Sequence, residues 1–207
     1  MSKILYLALS AVAGYLLGSV NSSIIIGKLY GIDVRQHGSG NAGATNTLRT
    51  LGKKAAVFVL IGDVLKGIIS CVIGNYIAGY SGVIFAGAAA IIGHNWPMYF
   101  SFKGGKGVLT AITIIFYIDW KLALITLGTF VVVLLITKYV SLGSVLGAII
   151  LPILAVLFGR NIEFIVFTAA LGTLIVIKHR TNIKRLLDGT ESKISKKVEN
   201  SKMYISK

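Results

Sequence analysis

The chain has 207 residues, of which 55% are hydrophobic and only 14% charged, with a mean hydropathy of +0.82; a water-soluble domain of this size cannot keep so much apolar surface from solvent. The net charge of +14 comes from basic residues between and after apolar runs rather than along one continuous face, so the expected partners are membrane lipids and anionic substrates, and no nucleic acid. Cys71 is the single cysteine and sits in an apolar run, which excludes an intrachain disulfide, a Cys-rich zinc site and a Cys-pair redox motif.

Lys3 precedes the apolar run Leu5–Ile26, which is too long for a signal-peptide core and has no small-x-small cleavage site, and reads as the first membrane span. Next comes a glycine-rich polar island, Arg35-Gln-His-Gly-Ser-Gly-Asn-Ala-Gly-Ala-Thr-Asn46, leading into a short predicted helix that ends near Gly52. Gly38, Gly40 and Gly43 let backbone N–H groups approach an oxyanion, and the helix N-terminus adds its positive dipole end. Ser39, Asn41, Thr45, Asn46 and Arg49 bring side-chain donors. The competing reading is a flexible turn whose Asn and Ser residues cap a helix. The island's length and flanking arginines favour anion binding.

The second span, Ala55–Ala78, carries Asp63 and Lys66 at i and i+3. Charges at hydrocarbon depth must face the protein interior, and a mutual ion pair is favoured over direct substrate contact. The third span, Gly82–Phe102, contains His94-Asn95-Trp96-Pro97, with His94 either a buried cap or a site residue and Trp96 an interfacial anchor. A second island follows, Phe102-Lys-Gly-Gly-Lys-Gly-Val108, in which Lys103, Gly104, Gly105, Lys106 and Gly107 resemble a shortened phosphate cradle at the start of an apolar helix. It is not a Walker A loop, and two positive-inside lysines in a tight turn explain it equally well. Val108–Ile118 has about half the usual span length and reads as a partial or tilted span. Leu122–Thr137, Leu142–Phe158 and Ile162–Ile177 are short but nearly free of charge. The last island, Lys178 to Glu191, sets His179 and Asn182 one helical turn apart; its lysines and arginines also suit a basic cluster gripping anionic lipid.

These runs predict an all-α, polytopic integral membrane protein with seven transmembrane helices and glycine-rich cytoplasmic loops, since the apolar stretches are continuous rather than alternating. With the N-terminus outside and the C-terminus inside, only Lys3, Lys121 and Arg160 fall on the outer face among the lysines and arginines, and all three islands lie on the cytoplasmic side. The tail after Ile183 is basic and poor in apolar residues and is expected to be unstructured or to lie against headgroups. The chain therefore divides into a transmembrane domain, residues 1–183, and a cytoplasmic tail, residues 184–207.

Several chemistries lack their residues. There is no Gly-x-Ser-x-Gly elbow and no metal-ligand spacing among the three histidines, and no histidine is followed five positions on by aspartate. No Asp-rich run is present to hold magnesium. Ser39-Gly-Asn-Ala-Gly-Ala-Thr-Asn-Thr-Leu-Arg49, Asp63-Val-Leu-Lys-Gly67, Gly93-His-Asn-Trp-Pro97, Phe102-Lys-Gly-Gly-Lys-Gly-Val108 and His179-Arg-Thr-Asn-Ile183, in this order, resemble the bacterial membrane acyl-phosphate:glycerol-3-phosphate acyltransferases over nearly the full length. The chain departs from the family's habit at Asn21, where proline is frequent, and at Leu109, where a small residue is common.

The resemblance implies an enzyme of the bacterial cytoplasmic membrane that transfers an acyl chain from acyl phosphate to glycerol 3-phosphate, giving lysophosphatidic acid and phosphate. It implies no metal, no cofactor, and no acyl-carrier protein or coenzyme A. Ser39, Thr45 and Arg49 with the first glycines match its polar pocket, Lys106 and its flanking glycines its phosphate loop, and His179 and Asn182 its last motif. An acyl phosphate is already activated, so such an enzyme has mainly to hold two anionic headgroups together and align the acceptor hydroxyl. The proton passes either to the departing phosphate or to His179; Ser39 as a covalent acyl carrier has no base adjacent in sequence. Two rivals stay open: an organic-anion transporter with glycine loops as broken helices, and a lipid-binding scaffold without activity.

Overall fold

The structure is a computed structural model that describes residues 2–194. Among the described residues there are helices and loops and no strand. Helix α1 (Lys3–Ser19) is capped by Ser2, and α2 (Ser22–Leu29) by Asn21, whose side-chain oxygen accepts from the Ile24 N–H at 3.1 Å. The first predicted span is thus broken at Val20–Asn21, and an asparagine cap restarts the helix there. The short α3 (Ala44–Leu51) ends on Gly52 at φ 85°, the left-handed region that glycine occupies without strain.

Helix α4 (Lys53–Asn95) is a hairpin of two arms. Ala78 and Gly79 leave helical geometry, and a methyl group on Gly74 would collide with the backbone of Gly82, a contact possible only if the chain doubles back. The Lys66 ammonium likewise reaches His94, 28 residues on. Gly14 and Gly18 of α1 lie against the backbone of Ala86 and Ala90, so α1 runs parallel to the second arm at a separation that only small residues permit. The remaining helices are α5 (Val108–Ile118), α6 (Trp120–Thr137), α7 (Val140–Leu157), α8 (Ile162–Lys178) and α9 (Arg180–Leu187). Asp119 caps α6 and Asn161 caps α8.

The packing inverts that of a soluble protein. Tyr76 is 91% exposed and Ile136 77%, whereas Asp63, Lys66, Ser70, His94, Thr110 and Thr113 are buried. Outward apolar and inward polar side chains suit a hydrocarbon solvent. By length and composition four helices can cross a membrane, or five if the α8–α9 pair, bent by 58°, is one span. That count takes residues 53–100 as one unit and sets Val108–Ile118 apart as a shorter apolar helix.

The chain beyond Ile183 differs from expectation. Helix α9 continues to Leu187, and residues 188–194 fold back on the bundle, with the Ile194 N–H donating to the Lys138 carbonyl at 2.8 Å. A boundary at residue 184 would cut α9. The physical reason is that this stretch has partners: its charges pair with groups on α3, α7 and α9 instead of with water. Residues 195–207 of the expected tail lie outside the described residues.

Candidate functional site

The three islands converge on one end of the bundle because the spans that carry them point the same way. The first island is organised by Asn46, only 1% exposed. Its amide donates to the Val34 and His37 carbonyls at 2.8 and 3.0 Å, and its oxygen accepts from the Ser39 backbone N–H at 2.8 Å and the Ser39 hydroxyl at 3.2 Å. Both amide protons are therefore committed inside the loop and none remains for a phosphate. Asn46 shapes the island that presents Ser39.

Arg35 joins this island to the second. It forks onto Asp33 at 2.8 Å and donates to the carbonyls of Phe100 and Lys103 at 3.0 and 3.2 Å. Its guanidinium in turn holds the Asp33 carboxyl below the usual carboxylate range. In the second island Gly104 and Gly105 press on His94, where a side chain at either would collide with the His94 carbonyl or imidazole. The Gly104 and Gly105 N–H groups donate to the Asn95 and His94 carbonyls at 3.3 and 3.1 Å. Gly107, at φ 72°, then turns the chain into α5.

A cavity of about 320 Å³ opens between these loops and α5 to α8. Ser39, Asn41, Gly43, Thr45, Asn46, Arg49, Lys106, Gly107, His179 and Asn182 all line it. Gly38, Gly40, Lys103, Gly104 and Gly105 do not; Gly38, Gly40 and Lys103 are exposed, and Gly104 and Gly105 serve as packing spacers against His94. The deeper walls are mostly apolar, with Ile112, Ile115, Phe130, Leu151 and Leu171 prominent; Asp63, His94, Ser144 and Thr126 interrupt them, and the Thr126 hydroxyl has no hydrogen-bond partner among the described residues. One cavity thus joins a cationic mouth to an apolar slot.

At the mouth the Lys106 ammonium donates to the Asn182 carboxamide oxygen. Burial pushes the Lys106 pKa down to about 8, opposed by Glu191 and reinforced by Arg185, Lys178 and Arg49. His179 donates from Nδ1 to the Ile175 carbonyl at 2.8 Å, a pairing that leaves the Nε2 lone pair free. Its pKa is pushed down to about 4, first by burial and then by Lys106. The cation responsible is Lys106, from another island, rather than the sequence neighbours Lys178 and Arg180. Beneath the mouth, Asp63 and Lys66 form the expected ion pair at 2.8 Å. The sequence concealed its neighbours: Ser22 donates to Asp63 at 3.2 Å, and Lys66 donates to the Val20 carbonyl at 3.2 Å and to His94 Nδ1 at 2.7 Å.

Three polar residues have no role of their own in the motifs: Arg35, which opens the first island but lies outside the cavity, Glu191, which closes the last, and Ser141, which belongs to none. Arg35, Ser141 and Glu191 act across loops distant in sequence. The local signals were an aspartate two positions before Arg35 and a single glutamate closing a basic island. Among the described residues no group of three or more His, Cys, Asp or Glu is placed to hold a metal ion.

Residues 8–189 match the family described as glycerol-3-phosphate acyltransferase. The glycerol-3-phosphate acyltransferase of Thermoanaerobacter sp. (strain X514) is 45% identical over 196 residues, covering 94% of this chain and 99% of that protein. Among solved structures, PlsY (YgiH), an integral membrane glycerol 3-phosphate acyltransferase, superposes in its glycerol 3-phosphate form with a TM-score of 0.86 at 38% identity, covering 91% of this chain and 96% of that one. Its lysophosphatidic acid form gives 0.83 at 37% identity, covering 91% and 95%.

Proposed function

Because the chain belongs to the glycerol-3-phosphate acyltransferase family and is therefore a membrane acyltransferase, we propose that it transfers an acyl group from acyl phosphate to glycerol 3-phosphate, releasing lysophosphatidic acid and inorganic phosphate. The observation that carries this reading is the single cavity with a mouth lined by Arg49, Lys106 and His179 and a slot of apolar side chains behind it. Such a shape fits a substrate with an anionic head and a hydrocarbon tail. The same two requirements are met by a lysophosphatidic acid product, the ligand of one solved relative.

The acceptor hydroxyl oxygen attacks the acyl carbon, the bond from that carbon to the phosphate oxygen breaks, and phosphate leaves with the electron pair. Arg49 and Lys106 neutralise the two phosphates, and the Ser39 and Thr45 hydroxyls orient them. The proton goes to the departing phosphate. A base with a pKa of about 4 is poorly matched to neutral pH, whereas a phosphate's second ionisation lies near 6. The free Nε2 of His179 then accepts a hydrogen bond from the second, non-reacting hydroxyl of glycerol 3-phosphate and so holds the acceptor in line, and Asn182 orients Lys106. No metal, cofactor, acyl-carrier protein or coenzyme A takes part.

The helix directions support seven passes: α1 with α2, the two arms of α4, and α5 to α8, with α5 short. On the basic-residue asymmetry the N-terminus is outside, the cytoplasmic membrane is the location, and the catalytic mouth faces the cytoplasm. The catalytic unit then extends to residue 194, past residue 183. Cysteines introduced at positions 41 and 76 should label from opposite sides of the membrane, and labelling from one side would sink this topology.

The decisive experiment is phosphate release from acyl phosphate by the purified protein. It should depend on glycerol 3-phosphate, with acyl-coenzyme A and acyl-carrier protein inert as donors. Release without the acceptor, or none at all, would count against the reading.

A further inference from the structure

Glu191 follows α9 and folds back over the mouth. One carboxylate oxygen accepts from the Ser141 hydroxyl at 2.7 Å and from the Asn182 amide at 2.6 Å, and the other accepts from Arg185 Nε at 2.7 Å. The carboxyl is nearly buried, with 6% of its side chain exposed, and these contacts favour its ionised form. The strap it sits on is held further along, where Arg49 donates to the Ser192 carbonyl at 3.1 Å and the Lys193 ammonium lies over the Tyr139 ring, 5.4 Å from its centroid.

An ionised carboxylate only accepts and an ammonium only donates. The Asn182 carboxamide lies between one of each, so its NH₂ must face Glu191 and its oxygen must face Lys106. Reversing the amide would set acceptor against acceptor and donor against donor. We propose that Glu191 is a positioning residue of the anion site: with Ser141 and Arg185 it fixes Asn182 with its oxygen toward Lys106 and keeps the Lys106 ammonium charged at the cavity mouth. This rests on the phosphate-binding role of Lys106 proposed above.

The charged and titratable groups around Lys106 come from every side. Glu191 lies on the strap, Arg185 on α9, Lys178 and His179 at the end of α8 and Arg49 on α3, while Asp63 and His94 line the same cavity from α4. Among the described residues whose charges act on Lys106, Glu191 is the one that stabilises its ammonium, against burial and three cations.

The test is the pH profile of kcat/KM for glycerol 3-phosphate with the full-length protein. In the parent, activity should fall as pH rises through about 8, where Lys106 loses its proton; the phosphates finish ionising well below that. In Glu191→Gln that limb should move down by about one pH unit, the scale expected for losing one close opposite charge, so that the deficit grows to about tenfold on the alkaline side. A folded Glu191→Gln enzyme whose profile is merely scaled down, with its limb in place, would overturn the proposal in favour of a purely structural role. Glu191→Asp keeps the charge but cannot span Ser141 and Asn182, and should lose about tenfold with a smaller shift of the limb; full parental kcat/KM in this variant would equally overturn it. If the parent itself shows no glycerol 3-phosphate-dependent release, it is the phosphate assignment that fails.

Discussion

Two ionic clusters share one cavity and differ in their balance. In the lower one the Lys66 ammonium has three acceptors, Asp63, the Val20 carbonyl and His94 Nδ1, so each of its three protons is matched. In the upper one Arg49, Lys106, Lys178 and Arg185 surround, among the described residues, one carboxylate, Glu191. A closed cluster holds helices together, whereas a cluster with surplus cations awaits an anion. The same residue types, fully buried below and half-buried above, thus serve opposite ends, and the difference lies in how many partners the protein itself provides.

The comparison breaks most visibly in stability. Asp63→Ala leaves a buried ammonium without its counter-charge and should destabilise the fold by about 3–5 kcal/mol, read as a lower midpoint in thermal unfolding of the purified protein. If Asp63→Ala is as stable as the parent, the lower cluster is not structural. Lys106→Ala and Arg49→Ala should do the converse: unfolding stays near the parental midpoint while turnover falls roughly thirtyfold to a thousandfold, or about 2–4 kcal/mol of transition-state stabilisation. Active, well-folded versions of both would remove the assigned anion contacts.

A smaller effect separates the proton routes. With the departing phosphate as base, His179→Gln should keep activity within about tenfold of the parent, because an amide oxygen can replace the Nε2 acceptor, while His179→Ala loses more. A folded His179→Gln enzyme as inactive as His179→Ala would restore histidine as the base. The smallest effect is on the acid side. A histidine held near 4 stays neutral at neutral pH and gains its proton only as pH falls through about 4, so no limb near 6.5 should disappear when His179 is replaced by glutamine. Disappearance of such a limb would show that His179 titrates in the working enzyme.

Much of this architecture was legible because a bilayer imposes length and hydropathy on each pass. Val108–Ile118 was delimited correctly by Gly107 and Asp119, one turning the chain and the other capping the next helix. The Asp63–Lys66 pair was readable from i,i+3 spacing at hydrocarbon depth. The break at Asn21 was not, since a lone asparagine in an apolar run carries no strong period change. Asn46 looked like a free donor, yet the loop's own carbonyls claim it. Glu191 and Ser141 stand 50 residues apart and meet only through the return of the chain after α9, a contact that no local pattern encodes.

The Asp63–Lys66 cluster also has an order in time. Synthesis runs from the N-terminus, so Val20 and Ser22 are already in place when the first arm of α4 carries its two charges toward the bilayer, and His94 is made last. The nascent chain therefore never has to expose an unaccompanied pair of charges to lipid: the earlier segment offers the ammonium the Val20 carbonyl and offers Asp63 the Ser22 hydroxyl, and the returning arm closes the remaining side. Biogenesis is in this sense written into which residues partner Lys66, and a rearranged chain in which residues 1–30 were synthesised after the hairpin would confront the insertion machinery with a charge whose partners did not yet exist.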